Sequence, residues 1–171
     1  AFQQAFEEDV IPTSQGELKI TFIGHATLFF TFAGKIIHVD PVKRYADYAT
    51  LPKADIILVT HEHGDHFDPS AIGIIKKEGT DLIFTEKCGE KQPGGQTMKN
   101  GEVRTVQGIK IEAVPAYNIV HMRSQGLPYH PKGEGNGYIL TFGDKRIYVA
   151  GDTENTPVSY THLTLPTKRI V

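Results

Sequence analysis

Residues 60–69, THEHGDHFDP, set three histidines and an aspartate within the six positions from His61 to His66. The whole chain of 171 residues holds eight histidines, so three of them in one bend call for a common cause. Histidine is the commonest metal ligand, and carboxylates complete the ligand sets of many metal sites. His61 and His63 stand two apart in extended chain and can turn both rings to one side. Asp65 and His66, beyond the bend at Gly64, can serve a second ion. The competing reading is a solvated loop whose acids cap the next helix, and Asp68 ahead of Pro69 is placed to do so. A helical zinc-protease motif is excluded, because after His61-Glu62 it requires histidine at position 65, which is Asp65 here.

Working outward, the run ADIILVT that leads into the histidines is almost continuously apolar, as in a strand covered on both faces. DPSAIGIIKKEG, which follows them, predicts a short amphipathic helix with Asp68 as N-cap, Pro69 at its first position and Gly79 beyond its last turn. Upstream, LKITFI, TLFFTF and KIIHV predict three antiparallel strands, while residues 1–17 read as a polar lead-in. Downstream come a strand at DLIF, a short helix around Glu86 to Lys91 and a turn at Pro93 to Gly95. A hairpin of EVRTV with IKIEAVPA follows, then a long loop from Tyr117 to Asn136, and a last hairpin of GYILTF with RIYVAG around Gly143-Asp144. Four of these strands run into chemistry-bearing residues: Asp40, His61, Tyr117-Asn118 and Asp152. Ligands gather at such strand ends, where loops are free of the packing demands of the core. One shared site accounts for all four, with Asp152 placed to bridge two ions.

Composition narrows the options. Eighteen basic and twenty acidic residues leave a net charge of −2, with no basic stripe to follow a phosphate backbone, so nucleic acid is not an expected partner and a small-molecule substrate is. The lone Cys88 excludes a disulfide framework and any Cys-x-x-Cys zinc ribbon, so a metal must be held by histidine and carboxylate. No apolar stretch approaches the roughly 20 residues of a membrane-spanning helix, and the chain is expected to be soluble. Its opening, AFQQAFEEDV, lacks Met and fits either a mature chain after signal cleavage or a fragment, so a cytoplasmic and a periplasmic or secreted location both stay open, as does the oligomeric state.

HEHGDH after a strand ending ILVTH resembles the His-x-His-x-Asp-His signature of the metallo-β-lactamase fold superfamily. FIGHAT and HVDP upstream, and VAGDTE downstream, resemble landmarks of its lactonase-like branch of metal-dependent hydrolases. The resemblance runs from about Leu18 to Glu154. It implies an α/β fold, an αββα sandwich, with two divalent metal ions at one edge, usually zinc and sometimes manganese or iron. Carried over by position, His61 and His63 would bind the first ion, Asp65 and His66 the second, and Asp152 would bridge them. Asp40 would be a structural support, and His25 of GHAT would lie near the site.

Two departures from the pattern stand out. The third histidine on the first ion normally follows the strand that here ends AVPAYN, and Asn118 holds its place. An amide oxygen is a poorer zinc ligand than imidazole. His130 is the preferred replacement, on the flexible HPKGEGNG segment, ahead of His121, while Tyr117, Tyr129, Arg123 and Lys132 are candidates to line a substrate pocket or hold an anionic group. Secondly, VSYTHLTLPTKRIV at the end shows no helical period and resembles a translated adaptor. The expected organisation is therefore a lead-in over 1–17, a metallo-β-lactamase-like domain over 18–157 that is incomplete at its C-terminus, and a non-native tail over 158–171. His162 is accordingly not expected to be a ligand, and apolar strand faces such as GYILTF are expected to be exposed.

The activity implied for the parent protein is hydrolysis of a small ester, lactone or phosphoester by a metal-bound hydroxide, with Asp65 orienting the water. A di-iron redox protein of the same fold and a non-catalytic metal-binding fragment are the alternatives.

Overall fold

The computed structural model of the chain describes residues 5–162 and 168–170. Its first sheet is seven-stranded, in sequential order, from β1 (Glu7–Thr13), β2 (Gly16–Gly24), β3 (Thr27–Phe32), β4 (Lys35–Val39), β5 (Ile56–Leu58), β6 (Asp81–Phe84) and β7 (Gln96–Thr97). The first four strands pair antiparallel and the remainder join in parallel. Parallel pairing requires crossovers, and helix α1 (Pro69–Ile75) supplies the one between β5 and β6, with α2 (Glu86–Lys91) between β6 and β7. The second sheet draws on β8 (Val103–Val106), β9 (Ile109–Ala116), β12 (Gly135–Phe142), β13 (Lys145–Val149) and β14 (Lys168–Ile170), the last paired parallel to β13. A small hairpin of β10 (Met122–Ser124) and β11 (Leu127–Pro128) interrupts the long loop after β9, and helix α3 (Pro157–His162) follows β13.

The alternation of side chains along each strand fixes the layers. Leu18 and Ile20 of β2, Leu28, Phe30 and Phe32 of β3, and Ile56 and Leu58 of β5 meet Ile111 of β9, Tyr138, Leu140 and Phe142 of β12 and Ile147 of β13 in one buried cluster between the sheets. The other face of the first sheet packs on the helices, with Ile57, Leu82 and Phe84 against Ala71, Ile72, Ile75 and Cys88. Strand β5 thus has partners on both faces, as its unbroken apolar run implies. The result is an α/β sandwich of the kind the motif suggests.

Asp68 caps α1 through its side chain, accepting from the backbone N of Ser70 and Ala71, with Pro69 in the first turn. The helix stops at Ile75, earlier than the Gly79 signal, because Lys76 already takes an extended conformation.

Three expectations are corrected. Residues 7–13 are not loose lead-in but strand β1, paired along its length with β2. Its alternation is weak because it is an edge strand, where only Ile11 reaches the core and Pro12 is tolerated. The loop from Tyr117 to Asn136 contains the β10–β11 hairpin and the start of β12. GYILTF is buried apart from the half-buried Thr141, and Ile139 on its outer side is only 1% exposed, since it clusters with Val114, Tyr148 and Ala150 and Val158 packs against them. Helix α3 begins at Pro157 and runs into the stretch read as a tail, whereas residues 163–167 and the side chain of His162 lie outside the described residues. No described helix is long and apolar enough to cross a membrane.

Candidate metal centre

The strand ends converge on one edge of the sandwich. Asp40 follows β4 with a left-handed φ of 46°, and its backbone N donates to Leu58 O at 2.9 Å, which aims its carboxylate across the end of β5. There the Asn136 backbone N donates to Thr60 O at 2.9 Å, tying the first sheet to the second beside His61. Gly151 brings the chain back to Asp152. Its φ of 63° and the absence of a side chain are both needed, because a Cβ would stand 3.0 Å from Asn136 O and 3.2 Å from Thr60 Cβ.

Three overlapping groups of potential metal-binding atoms result among the described residues. His61, His63 and His130 form the first: His61 Nε2 and His130 Nε2 each lie 3.1 Å from His63 Nδ1. His25, Asp65 and His66 form the second, and a third, of His61, His66 and Asp152, overlaps both. Asp152 stands between them, with Oδ1 3.1 Å from His66 Nε2 and Oδ2 3.4 Å from His130 Nε2 and 3.9 Å from His61 Nε2. Asp65 Oδ2 lies 4.0 Å from His66 Nε2 and 3.2 Å from His25 Nε2. His25 sits at the β2–β3 turn, φ 52°, with Tyr45 behind its ring at 5.7 Å.

The outer hydrogen bonds determine which ring nitrogens face inward. Asp40, fully buried, accepts from the Thr60 backbone N and hydroxyl, both at 2.7 Å, and Oδ2 also lies 2.8 Å from His66 Nδ1. A carboxylate can only accept, so His66 Nδ1 carries a proton and Nε2 is the atom offered to the site. With its hydroxyl proton given to Asp40, Thr60 Oγ1 can only accept from His61 Nδ1 at 3.0 Å, which leaves the His61 Nε2 lone pair pointing inward. Asn118 Oδ1, 2.7 Å from His130 Nδ1, does the same for His130. Such partners are what metal-ligating histidines need to hold tautomer and orientation.

Charge supports the same assignment. Burial, reinforced by neighbouring His66, pushes the His61 pKa down to about 3, so that ring stays neutral. Burial works against a charge on His66 as well, but Asp152 and Asp40 outweigh it and raise its pKa to about 10. Burial would raise the Asp152 pKa, yet His66 and the other rings hold it well below the usual carboxylate range. The pocket therefore demands positive charge at a point flanked by two carboxylates. His66 Nε2 is buried without a well-directed hydrogen bond although Asp152 lies close, so the nitrogen and oxygen donors present fit a divalent cation such as zinc.

The remaining sequence candidates fall in different places. The Asn118 carbonyl is turned to His130, accepting from its backbone N at 2.9 Å as well, and so orients a ring in place of acting where a ligand was considered. His121 is 75% exposed and its Nδ1 meets Glu154 Oε1 at 2.5 Å. Tyr117 is buried, its ring under Lys132 at 5.1 Å. Tyr129 lines the pocket with His61, His63, His130, Glu134 and Asp152, and Arg123 lies 5.8 Å over its ring. Thr60 and Glu154 were missed, since nothing in their spacing marks a residue that acts by holding another.

The family model of the beta-lactamase superfamily domain matches residues 19–165. This chain belongs to the beta-lactamase superfamily. Within the superfamily, a solved structure from Parabacteroides distasonis, described as a metal-dependent hydrolase, is 51% identical, superposes with a TM-score of 0.84, and is matched over 90% of this chain and 69% of its own. The UPF0173 metal-dependent hydrolase of Thermodesulfovibrio yellowstonii is 34% identical over 82% of this chain and 61% of its own length. Igni18, a metallo hydrolase from Ignicoccus hospitalis, is 26% identical with a TM-score of 0.59, over 80% of this chain and 61% of its own. This superfamily member thus spans about three fifths of the length of the curated relatives it matches.

Proposed function

We propose that the chain carries the metal-binding part of a hydrolase acting on a small ester, lactone or phosphoester with the help of two divalent ions, zinc foremost. One observation carries this reading: Asp152 lies between two groups of histidines, 3.4 Å from His130 and 3.1 Å from His66, as a carboxylate shared by neighbouring ions would. His61, His63 and His130 would hold the first ion, and Asp65 and His66 the second. Bound there, divalent ions would lower the pKa of a water towards about 7 and polarise the electrophile.

The chain's own residues do the rest. Burial would raise the Asp65 pKa, but its own backbone N–H and the imidazoles of His66 and His25 lower it, so it is ionised and can accept a hydrogen bond from the attacking water and orient it. His25, on Asp65 at 3.2 Å, steadies that carboxylate. Tyr129 and Glu134 bound the pocket where the substrate would lie.

The test is a panel of aryl esters, lactones and phosphodiesters presented to the zinc-loaded and the chelator-stripped protein. Zinc-dependent turnover of one class, lost in Asp65→Asn, is expected. Zinc bound without turnover of any class would refute the hydrolase and leave a binding module.

A further inference from the structure

We propose that Glu154 is a positioning residue for the first metal group, acting through Asn118 on the ring of His130. This rests on the reading of His130 as a metal ligand. The Glu154 carboxylate gathers five donors from one short stretch of chain. Oε2 accepts from the backbone N of Ile119 at 2.8 Å and of Val120 at 2.7 Å. Oε1 accepts from the backbone N of His121 at 2.7 Å, meets His121 Nδ1 at 2.5 Å, and accepts from Asn118 Nδ2 at 3.2 Å.

Asn118 is the hinge of the arrangement. Its amide NH2 is held by Glu154, so its carbonyl must face the other way, where it accepts from the His130 backbone N at 2.9 Å and lies 2.7 Å from His130 Nδ1. The Asn118 backbone N completes the clasp by donating to His130 O at 2.9 Å. Were the amide to flip, an NH2 would face Nδ1, and His130 would have to carry its proton on Nε2, the atom it offers beside His63 to a cation. Glu154 removes that choice, because a carboxylate cannot donate to Asn118 and only one amide orientation satisfies both ends.

The same geometry explains how imidazole can be supplied from 12 residues further along the chain. Asn118 occupies the place just after β9, and the loop from Tyr117 returns His130 to that place. The loop needs a fixed start if its far end is to arrive within 3.1 Å of His63, and Glu154 provides it two residues beyond Asp152. The Glu154 backbone N also donates to Tyr117 O at 3.1 Å, which ties the strand end that carries Asp152 to the start of the loop that carries His130.

The experiment compares the full chain with Glu154→Gln, Asn118→Ala and the double variant. The first readout is nitrogen NMR of the His130 imidazole in the zinc-free protein. The second is zinc affinity by competition with a chromophoric chelator, with the visible spectrum of the cobalt-loaded protein as a geometric check. A fixed Nδ1–H tautomer is expected in the unaltered chain and a mixture in Glu154→Gln. Zinc binding at the first group should weaken by about 10- to 100-fold in each single variant, and by no more in the double variant, since both break one relay. A His130 tautomer unchanged in Glu154→Gln, or losses that multiply in the double variant, would overturn the relay. If the tautomer responds as expected while the unaltered chain takes up no zinc, the relay stands and the metal-site reading fails instead.

Discussion

Replacing Asp40 by Asn isolates one charge at the base of the site. Asn tolerates the left-handed backbone that Asp40 adopts at φ 46°, so the substitution adds no strain of its own. The carboxylate presently takes three bonds, two from Thr60 and one from His66, and an amide has only one oxygen with which to answer them. If that oxygen keeps the Thr60 backbone N, the NH2 faces His66 Nδ1 and the Thr60 hydroxyl. His66 must then carry its proton on Nε2, the atom offered to the second ion, and Thr60 no longer fixes the His61 tautomer. Losing an outer partner of a ligating histidine typically weakens binding 10- to 100-fold, about 1.4 to 2.7 kcal/mol, and here two rings lose theirs through one atom. A stability loss of about 1–3 kcal/mol should accompany it from the buried donor left unpaired. Isothermal titration of the stripped protein with zinc, alongside urea unfolding, measures both. Zinc affinity within twofold of the unaltered chain would refute the tautomer argument, whatever happened to stability.

Other consequences can be tested independently. His38 is fully buried, its Nε2 3.0 Å from Pro52 O, and burial pushes its pKa down from 6.5 to about 4. Between those values the unfolded chain binds the proton and the folded one resists it, so stability should fall by about 3 kcal/mol as pH drops from 6.5 to 4. His38→Phe should flatten that part of the acid limb in urea titrations at successive pH values, and an unaltered slope would show that His38 does not titrate this way. Gly151→Ala should cost about 1–3 kcal/mol, from its positive φ and the contact at 3.0 Å with Asn136 O, and a thermal midpoint equal to that of the unaltered chain would contradict this. Leu140→Ala, deep between the sheets, should cost about 2–5 kcal/mol in the same unfolding assay, and a loss below 1 kcal/mol would mean that the intersheet core is looser than described.

What the sequence disclosed follows from where information is local. HEHGDH and the strands feeding it could be read because ligand spacing and alternation are short-range patterns, and the Asp68-Pro69 cap for the same reason. Strand β1 escaped because its edge position buries little more than Ile11. The burial of Ile139 could not be read at all, since it depends on the packing of Val158 and Tyr148 from other parts of the chain. The site divides the same way. His61, His63, Asp65, His66 and Asp152 carry their chemistry in their type and place. Thr60, Asn118 and Glu154 act only through the side chains they touch, which become visible once the two sheets are assembled.

His61, His63 and His130 are proposed to bind one cation together. The most direct measurement is the zinc content per chain, by mass spectrometry after dialysis, of the unaltered protein, His63→Ala and His130→Ala. At least one tightly held zinc is expected in the unaltered chain, and the loss of one equivalent in each variant. Zinc content unchanged by His130→Ala would contradict it.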